Sequence, residues 1–389
     1  MQAYLDHAAT TPLRPQALAA MLPLLTERFG NPSGAHSVAR DARRCLDDAR
    51  EGIARDLGCE PGEVVFTAGG TESDNLAVLG SHERPGDVVC SAVEHHAVLR
   101  PCQAVGGVVV EVDASGSIDL DALSDSLEPE VRLVSVMLAN NEIGTVQPLS
   151  QVAELVRRRA PEALLHTDAV AAVGWFDVAS ATRCSDLVSV SAHKFGGPKG
   201  VGALVVRRGV RLGPVLRGGE QERGRRPGTH DVAGAVGMAA ALAVATSDRE
   251  AAAAHVARLR DRLGAGILGA VDGAVETGPV SPTAGTAGTA DTVDNRARTR
   301  KLPSSLNVRF ESVDAEELLV LLDQAGICAS AGAACASGAV EPSHVLLATG
   351  LSRNEARTAV RFSLGVTTTD EEIDYTLEVV PKLVEQLRS

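Results

Sequence analysis

Aromatic residues are scarce in this sequence: its 389 residues include only six Phe, two Tyr and one Trp. A surface that stacks nucleic-acid bases is therefore not expected. Positive charge is also in deficit, because the formal net charge is −13 at pH 7, which argues against a nucleic-acid or anionic-membrane partner. A long uncharged run, residues 232–247, is rich in Ala and Gly and is too short and too weakly apolar to span a bilayer. Asp6 and His7 interrupt the N-terminus before any apolar run forms, so we expect no signal peptide.

Cysteine spacing gives no sign of a disulfide framework or a zinc site. The seven cysteines are scattered, without pairs or a CxxC motif, at Cys45, Cys59, Cys90, Cys102, Cys184, Cys328 and Cys335. An odd, unpatterned set is typical of reduced thiols in a cytoplasmic protein.

Lysine is equally rare, with only Lys194, Lys199, Lys301 and Lys382. Lys194 follows a run of strand-forming residues, 186–193, and a Gly/Pro turn comes directly after it. An amine at the lip of a sheet can lose water and acquire a lowered pKa, as a Schiff-base lysine requires. The alternative is a surface lysine that caps the strand, and local features alone leave both interpretations open.

Strands and helices alternate through the first two thirds of the chain, which predicts an α/β fold with a mostly parallel sheet. Polar residues follow successive apolar strands, at Thr71, His95, Asn141, Asp168 and Lys194. Ligands of open α/β sheets bind at this edge. The glycine turn before Thr71 also opens a helix and could bind an anion, although any strand-to-helix turn can have this appearance.

The last third of the sequence predicts a smaller α+β domain. We expect a large domain over residues 15–260 and a small domain formed by residues 1–14 and 261–389. One Ala-rich helix is predicted from Asp231 to about Leu263, and a mobile loop over residues 276–301, which are low in apolar residues.

Nine short stretches in order resemble a known family, the pyridoxal-phosphate-dependent cysteine desulfurases of the NifS/IscS branch, in class V of the aminotransferases. They are YLDHAATTP (4–12), FTAGGTESDN (66–75), EHHAV (94–98), NNEIG (140–144), HTDA (166–169), SAHK (191–194), RRPGT (225–229), SAGAAC (330–335) and RFSLG (361–365). The resemblance implies the fold-type I, aminotransferase-like architecture and a homodimer. It further implies pyridoxal 5'-phosphate as cofactor, L-cysteine as substrate and a protein or small-molecule sulfur acceptor.

The resemblance also implies roles for single residues around the cofactor ring. Lys194 would bind the cofactor covalently and remove the substrate Cα proton, and Asp168 would keep the pyridine nitrogen protonated. His95 would stack on the ring and shuttle protons.

Further residues would hold the phosphate and the substrate. The phosphate would be held by Gly70, Thr71, Ser191, His193 and the neighbouring subunit's Thr229. Asn141 would orient the cofactor oxygen and the substrate, and Arg361 would grip the substrate α-carboxylate. The alternative for Arg361 is an ordinary salt bridge in a strand.

Cys335 would be the nucleophile that receives the sulfur as a persulfide. Its neighbours are too small to pack a core, so we expect a mobile loop. Cys328 follows larger apolar residues and is expected to be a buried strand cysteine. Two other functions stay open: a different lyase or aminotransferase with the same cofactor, acting on a cysteine- or selenocysteine-like amino acid, and a non-catalytic sulfur-relay scaffold.

The sequence departs from the family pattern at Ala171. The family usually carries a glutamine three residues after the aspartate, where it contacts the phenolic oxygen of the cofactor. An alanine side chain cannot donate that hydrogen bond.

Overall fold

A computed structural model describes residues 1–83, 86–279, 301–331 and 341–389. Its strands are β1 (Ala3–Tyr4), β2 (Val64–Thr67), β3 (Asp87–Ser91), β4 (Val108–Val110), β5 (Val131–Ser135), β6 (Leu164–Asp168), β7 (Leu187–Ser191), β8 (Gly202–Val206), β9 (Ala274–Glu276), β10 (Ser305–Phe310), β11 (Ile327–Cys328) and β12 (Ala359–Ser363).

The α-helices of the same ranges lie mostly between these strands. They are α1 (Pro15–Thr26), α2 (Ser37–Leu57), α3 (Gly70–Gly80), α4 (His96–Ala104), α5 (Leu120–Asp125), α6 (Leu149–Arg159), α7 (Val178–Ala181), α8 (Val232–Ser247), α9 (Arg249–Ala270), α10 (Ala315–Gln324), α11 (His344–Ala348), α12 (Arg353–Ala356) and α13 (Asp370–Arg388). Within the described ranges no helix is both long and apolar enough to cross a membrane.

The main sheet has the strand order β2-β8-β7-β6-β5-β3-β4. Strands β7, β6, β5, β3 and β4 are parallel to their neighbours in this series, whereas β8 is antiparallel to both β7 and β2. The expected α/β fold with a mostly parallel sheet is therefore confirmed. Because β2 runs in the same direction as β7, the carboxyl ends of β2, β5, β6 and β7 all lie along one edge.

The last third of the chain, together with the N-terminal segment, forms two smaller sheets and a second hydrophobic core. Strand β10 pairs antiparallel with β12 and β9, and β1 pairs in parallel with β11. A core containing Leu5, Leu259, Phe310 and Phe362 is separate from the core of the main sheet. The N-terminal segment thus packs with the last third of the chain. The domain limits at residues 14 and 260 stay a prediction, since α9 crosses the second of them.

The structure corrects three details of the sequence predictions. The single helix expected from Asp231 to Leu263 is two helices, because the chain leaves α8 at Ser247 and begins α9 at Arg249. The apolar run over residues 133–138 predicts a single strand, but the strand ends at Ser135, although the amide of Leu138 still donates to Asp168 O. Cys328 lies on a strand, as expected, but is only half-buried. Most of the expected 276–301 loop, and Cys335, lie outside the described residues.

Candidate active site at the carboxyl edge of the main sheet

Lys194 follows β7 in a short 3₁₀ turn, Ala192–Lys194, and its side chain is half-buried. The amine donates to the carbonyl oxygens of Ala8 and Ala9, the latter at 3.0 Å. The N-terminal segment is held against this strand end by Thr11, whose amide and hydroxyl donate to His193 O at 3.1 and 2.8 Å. Burial, and then the nearby charge of Arg361, lower the pKa of Lys194 to about 8. About a tenth of the amine is therefore unprotonated, and nucleophilic, at pH 7, far more than for an ordinary lysine.

Asp168 ends β6, the strand beside β7, and is buried. Its Oδ1 accepts a hydrogen bond from Val170 N at 2.8 Å. Burial raises the pKa of this carboxyl to about 6, against the opposing effects of that hydrogen bond and of the charge of Lys194. A buried carboxylate next to the amine can bind a protonated ring nitrogen, which would compensate its charge.

A buried polar network lies on the neighbouring strands beside Asp168. The ring of His166 is joined through Nδ1 to Ser135 Oγ at 2.8 Å and through Nε2 to Ser189 Oγ at 3.0 Å. Asp74 Oδ1 lies 3.6 Å from the same Nε2. Burial and the charge of Asp168 raise the pKa of Asp74 well above its usual range.

Arg361 lies on β12, from the last third of the chain, and its guanidinium reaches the same edge. Its Nη2 donates to Asp6 Oδ1 at 2.8 Å and its Nη1 donates to Asn141 O at 3.2 Å. The backbone of Arg361 pairs with Ser330 in both directions. Arg361 therefore connects the N-terminal segment, the loop after β5 and the chain that precedes residue 332.

The turn between β2 and α3 has glycines at positions where its backbone lies very close to neighbouring residues. Gly69 has φ 139°, a conformation that L residues with a side chain rarely adopt. A Cβ on Gly70 would lie 2.9 Å from Val170 Cγ2, and one on Gly202 would lie 2.7 Å from Gly69 Cα. The first amides of a helix have no partner within the helix, so the start of α3 offers donors to an anion.

Three further predicted residues surround this turn. Ser191 is buried at the end of β7, with its Oγ 3.7 Å from the position of a Cβ on Gly69. Thr71 is exposed in the first turn of α3. The half-buried His193 directs Nδ1 to Thr10 Oγ1 at 3.2 Å.

His95 is the N-cap residue of α4, and its Nδ1 accepts from Ala97 N at 3.1 Å. This hydrogen bond leaves Nε2 as the ring nitrogen that can exchange a proton with a ligand. The side chain is open to solvent, and partial desolvation followed by the charge of Lys194 lowers its pKa. His95 is therefore neutral near pH 7.

One cavity connects several of these groups. Its walls include Lys194, Asn141 and Ala171, together with Thr11 and Trp175. Thr229 is not part of it: this residue is exposed on the loop before α8. The structure thus brings together Lys194, Asn141, Asp168 and Arg361, and leaves Thr229 exposed outside this cavity.

These residues fit a phosphorylated aldehyde cofactor. A poorly solvated amine can bind the aldehyde, a buried carboxylate can bind a ring nitrogen, and a glycine turn at a helix start can bind a phosphate. Pyridoxal 5'-phosphate carries these three groups on one ring.

Some groups of the site could not be identified from the sequence. Asp6 belongs to one of the resembling stretches, but nothing local indicates that it pairs with Arg361, 355 residues away. Asp74 looks like a surface residue of a helix, and only the packing of α3 on the sheet buries it. Glu222 lies in a polar loop, yet only 1% of its side chain is exposed.

Comparisons with known proteins identify the family of this chain. Residues 3–376 match the family model "Aminotransferase class-V", whose members use pyridoxal 5'-phosphate. The chain is 46% identical to a cysteine desulfurase from Cereibacter sphaeroides, over 99% of this chain and 96% of that protein.

Two solved structures extend the likeness to the fold. A NifS-like protein superimposes with a TM-score of 0.88 at 34% identity, covering 99% of this chain and 100% of the other. SspA in complex with cysteine superimposes with a TM-score of 0.77 at 32% identity, covering 94% of this chain and all of that one. This chain belongs to the pyridoxal-phosphate-dependent class V aminotransferase family.

Proposed function

We propose that this protein is a cysteine desulfurase, which converts L-cysteine to L-alanine and takes up the sulfur on Cys335. The Cys335 thiolate forms a bond to the substrate sulfur while the carbon–sulfur bond breaks. The electron pair of that bond stays with the substrate carbon, which is protonated to the methyl group of alanine. Pyridoxal 5'-phosphate, when bound, supplies the electron sink for this reaction.

The observation that carries this proposal is the setting of Lys194. Its amine has a pKa lowered to about 8 and shares a cavity with Asn141. The named relatives, a cysteine desulfurase and a protein solved with cysteine, fix the substrate class that we propose for that cavity.

The roles that we propose for the other residues follow from their positions. Asp168 binds the pyridine nitrogen, His95 covers the ring, and Asn141 orients the substrate. Arg361 binds the substrate carboxylate. The phosphate is bound at the start of α3 and by residues at the end of β7, namely Gly70, Thr71, Ser191 and His193.

The test mixes purified protein with L-cysteine and measures alanine and sulfide. We expect both products in equal amounts when a thiol reductant releases the sulfur. Borohydride reduction followed by peptide mapping should place the pyridoxyl group on Lys194. A label on the exposed Lys199 would overturn the assignment of the site.

We also propose that the protein acts as a homodimer. Helix α1 exposes Leu18, Leu22 and Leu25 along one face, and Phe29 follows it with 76% of its surface exposed. Such a contiguous apolar stripe is typical of an interaction surface. A second copy is the partner that also completes the site, because Thr229 is exposed and could reach a neighbour's phosphate.

Mixed dimers test this arrangement. One chain carries Thr229→Ala with Lys194 intact, and the other carries Lys194→Ala with Thr229 intact. The site that contains Lys194 then receives an intact Thr229 from the other chain, so the mixed dimer should show activity that neither homodimer shows. No recovery after verified subunit exchange would mean that each site is built within one chain.

We further propose a cytoplasmic location and a protein or small-molecule acceptor for the persulfide sulfur. The six cysteines in the described part of the chain are free thiols, which suits a reducing compartment. Incubation of the sulfur-loaded protein with cell extract, followed by tracing of radiolabelled sulfur, would identify the acceptor.

A further inference from the structure

Glu222 is a buried carboxylate at the meeting point of three elements. It accepts hydrogen bonds from Arg50 Nη1 and Nη2 at 2.9 and 2.6 Å, from Phe66 N at 2.9 Å and from His230 Nε2 at 2.7 Å. These donors belong to α2, to β2 and to the loop before α8. Burial alone would raise the pKa of Glu222, but the bonds from His230 and Arg50 hold it at about 2. The carboxylate is therefore charged and fully engaged.

The backbone around Glu222 is held in an unfavourable conformation. Glu222 has φ 48° and ψ 38°, and Arg223 has φ 57° and ψ 40°. Two consecutive residues with side chains in the left-handed region are rare. Such a conformation persists where surrounding contacts over-determine it, and it occurs most often at functional sites. The hydrogen bonds of the Glu222 side chain supply those contacts.

The contacts of Glu222 also connect its loop to the glycine turn at Gly69–Gly70, which we call the phosphate turn. The Glu222 carboxylate accepts from the backbone of β2, two residues before Ala68, where the turn begins. Arg226, four residues further along the loop, donates to Glu72 in the first turn of α3 at 2.9 Å. Glu72 in turn accepts from Ala68 N at 2.5 Å. The loop is thus attached to both sides of the Gly69–Gly70 turn.

The loop also carries Thr229. This exposed residue lies next to His230, which is anchored to Glu222. Any shift of the His230 anchor moves Thr229 with it, because the two are adjacent in the chain. One buried carboxylate therefore fixes two features: the phosphate turn of its own subunit and the residue that we assigned to the neighbour's phosphate.

We propose that Glu222 is a positioning residue for cofactor phosphate binding in both active sites of the dimer. It holds the β2–α3 turn of its own subunit and, through His230, presents Thr229 to the partner subunit. This inference rests on the dimer and the phosphate roles proposed above. No role in the chemistry at Lys194 is assigned to Glu222.

Binding of two ligands to the apoprotein tests the first role, in which Glu222 holds the β2–α3 turn of its own subunit. Pyridoxal 5'-phosphate and pyridoxal share the aldehyde and the ring, and only the former has the phosphate. Glu222→Gln keeps the shape of the side chain but loses its charge and places an NH₂ group against donors. We expect its Kd for pyridoxal 5'-phosphate to rise about tenfold or more, with the Kd for pyridoxal within about twofold of wild type.

A matched control is available at the other end of β2. Glu63 also accepts from an arginine, Arg207 at 3.3 Å, and from a backbone amide, Arg208 N at 2.7 Å. Glu63→Gln should leave both Kd values unchanged. If Glu222→Gln binds the phosphorylated ligand as wild type does, or weakens both ligands equally, the positioning role is wrong. Failure of the wild-type protein to bind pyridoxal 5'-phosphate would instead overturn the proposed function.

Mixed dimers test the second role, in which Glu222 presents Thr229 to the partner subunit through His230. This test does not require that the Glu222→Gln variant folds. His230→Phe removes one bond to Glu222 and leaves the Arg50–Glu222 pair, whereas His230→Gln restores a donor at the place of Nε2. Each dimer has one chain with Lys194→Ala, so a single site binds the ligand covalently. His230→Phe in the Lys194→Ala chain should weaken phosphate-dependent binding at the other chain's site, and His230→Gln there should restore it.

The reciprocal dimer gives the decisive comparison. With His230→Phe in the chain that keeps Lys194, the site borrows an intact Thr229 loop, and its Kd for pyridoxal 5'-phosphate should stay near that of wild type. A defect that follows the Lys194-containing chain instead would show that the loop acts within its own subunit, and would overturn the trans role.

Discussion

The Arg361 guanidinium is fixed by Asp6, with Nη2 donating to Oδ1 at 2.8 Å. Only 3% of the Arg361 side chain is exposed, against 21% for Asp6. Within the described part of the chain Nε has no partner, and each Nη uses only one of its two hydrogens in these bonds, so part of the five-donor fork is not engaged. The salt bridge expected as the alternative role of Arg361 is thus present, and it orients the guanidinium. The carboxylate clamp stays a proposal, and the two roles are compatible on one side chain.

Arg361→Lys should weaken L-cysteine binding selectively. Lysine keeps the charge but cannot make two parallel hydrogen bonds to a carboxylate. A charged hydrogen bond is worth about 1.5–3 kcal/mol, so we expect KM for L-cysteine to rise about 10- to 100-fold. Cysteamine lacks the α-carboxylate, and its Kd, followed by visible absorption, should not change. Equal weakening of both ligands would contradict the carboxylate role.

Lys194→Met should stabilise the apoprotein at pH 7. The folded protein lowers the pKa of Lys194 from 10.5 to about 8, which means that the buried amine disfavours its charged form. Below pH 8 the folded state bears this full cost, which is at most about 3.5 kcal/mol at about 1.4 kcal/mol per pKa unit. Between pH 8 and 10.5 the unfolded state binds more protons, so the stability of wild type rises with pH and the advantage of Lys194→Met disappears.

Urea unfolding of the wild-type and Lys194→Met apoproteins at pH 7 and pH 10.5 measures this difference in stability. Lys199→Met is the matched control, because Lys199 is exposed in the turn that follows. It should change the free energy of unfolding at neither pH. Equal stability of Lys194→Met and wild type at pH 7 would contradict the burial cost assigned to the amine.

Cys335→Ser should abolish sulfur transfer without loss of cofactor. Serine is a far weaker nucleophile towards sulfur than a thiolate, so alanine and sulfide formation should fall about 100-fold or more. The groups that we expect to bind the cofactor lie on other elements, and the visible spectrum and its change on adding L-cysteine should persist. Cys328→Ser, on the half-buried strand β11, is the control and should keep activity. Sulfide release at the wild-type rate by Cys335→Ser would favour a β-elimination lyase.

The sequence predicted the elements whose local signals are strong. The sequence predicts a strand over residues 164–168 and a closing helix over residues 370–388. Strand β6 and helix α13 have these bounds, because an apolar run stops at Asp168 and a capping box joins Thr369 to Glu372. The break between α8 and α9 was missed. Neither Gly nor Pro marks it, and Asp248 keeps near-helical angles while it bends the chain. An Ala-rich sequence gives no periodic signal there.

The site was predictable where polar residues follow strands, and not where distant segments meet. Lys194 and Asp168 end neighbouring strands, so their proximity follows from sheet geometry alone. The carbonyls of Ala8 and Ala9 that face Lys194, and the Asp6 partner of Arg361, come from the N-terminal segment. Their positions depend on the pairing of β1 with β11, a contact between segments more than 300 residues apart that no local pattern encodes.

Ala171 leads to a prediction about the colour of the protein. It lines the same cavity as Lys194 and Asn141, where the family usually has a glutamine. A donor to the phenolic oxygen of the cofactor stabilises the deprotonated Schiff base, because it replaces the internal hydrogen bond from the Schiff-base proton. Ala171→Gln should therefore lower the pKa of this Schiff base.

One hydrogen bond to a charged oxygen is worth about 1.5–3 kcal/mol and 1.4 kcal/mol corresponds to about one pKa unit. Partial replacement by water reduces the difference, so we expect a decrease of about one unit or less. Spectrophotometric titration of wild type, Ala171→Gln and Ala171→Met decides the matter. The methionine variant has similar bulk but no donor and should titrate like wild type. Superimposable curves for all three would mean that another group, such as Asn141, already donates to the phenolic oxygen. An equal shift in the methionine variant would assign the change to lost solvent and not to a hydrogen bond.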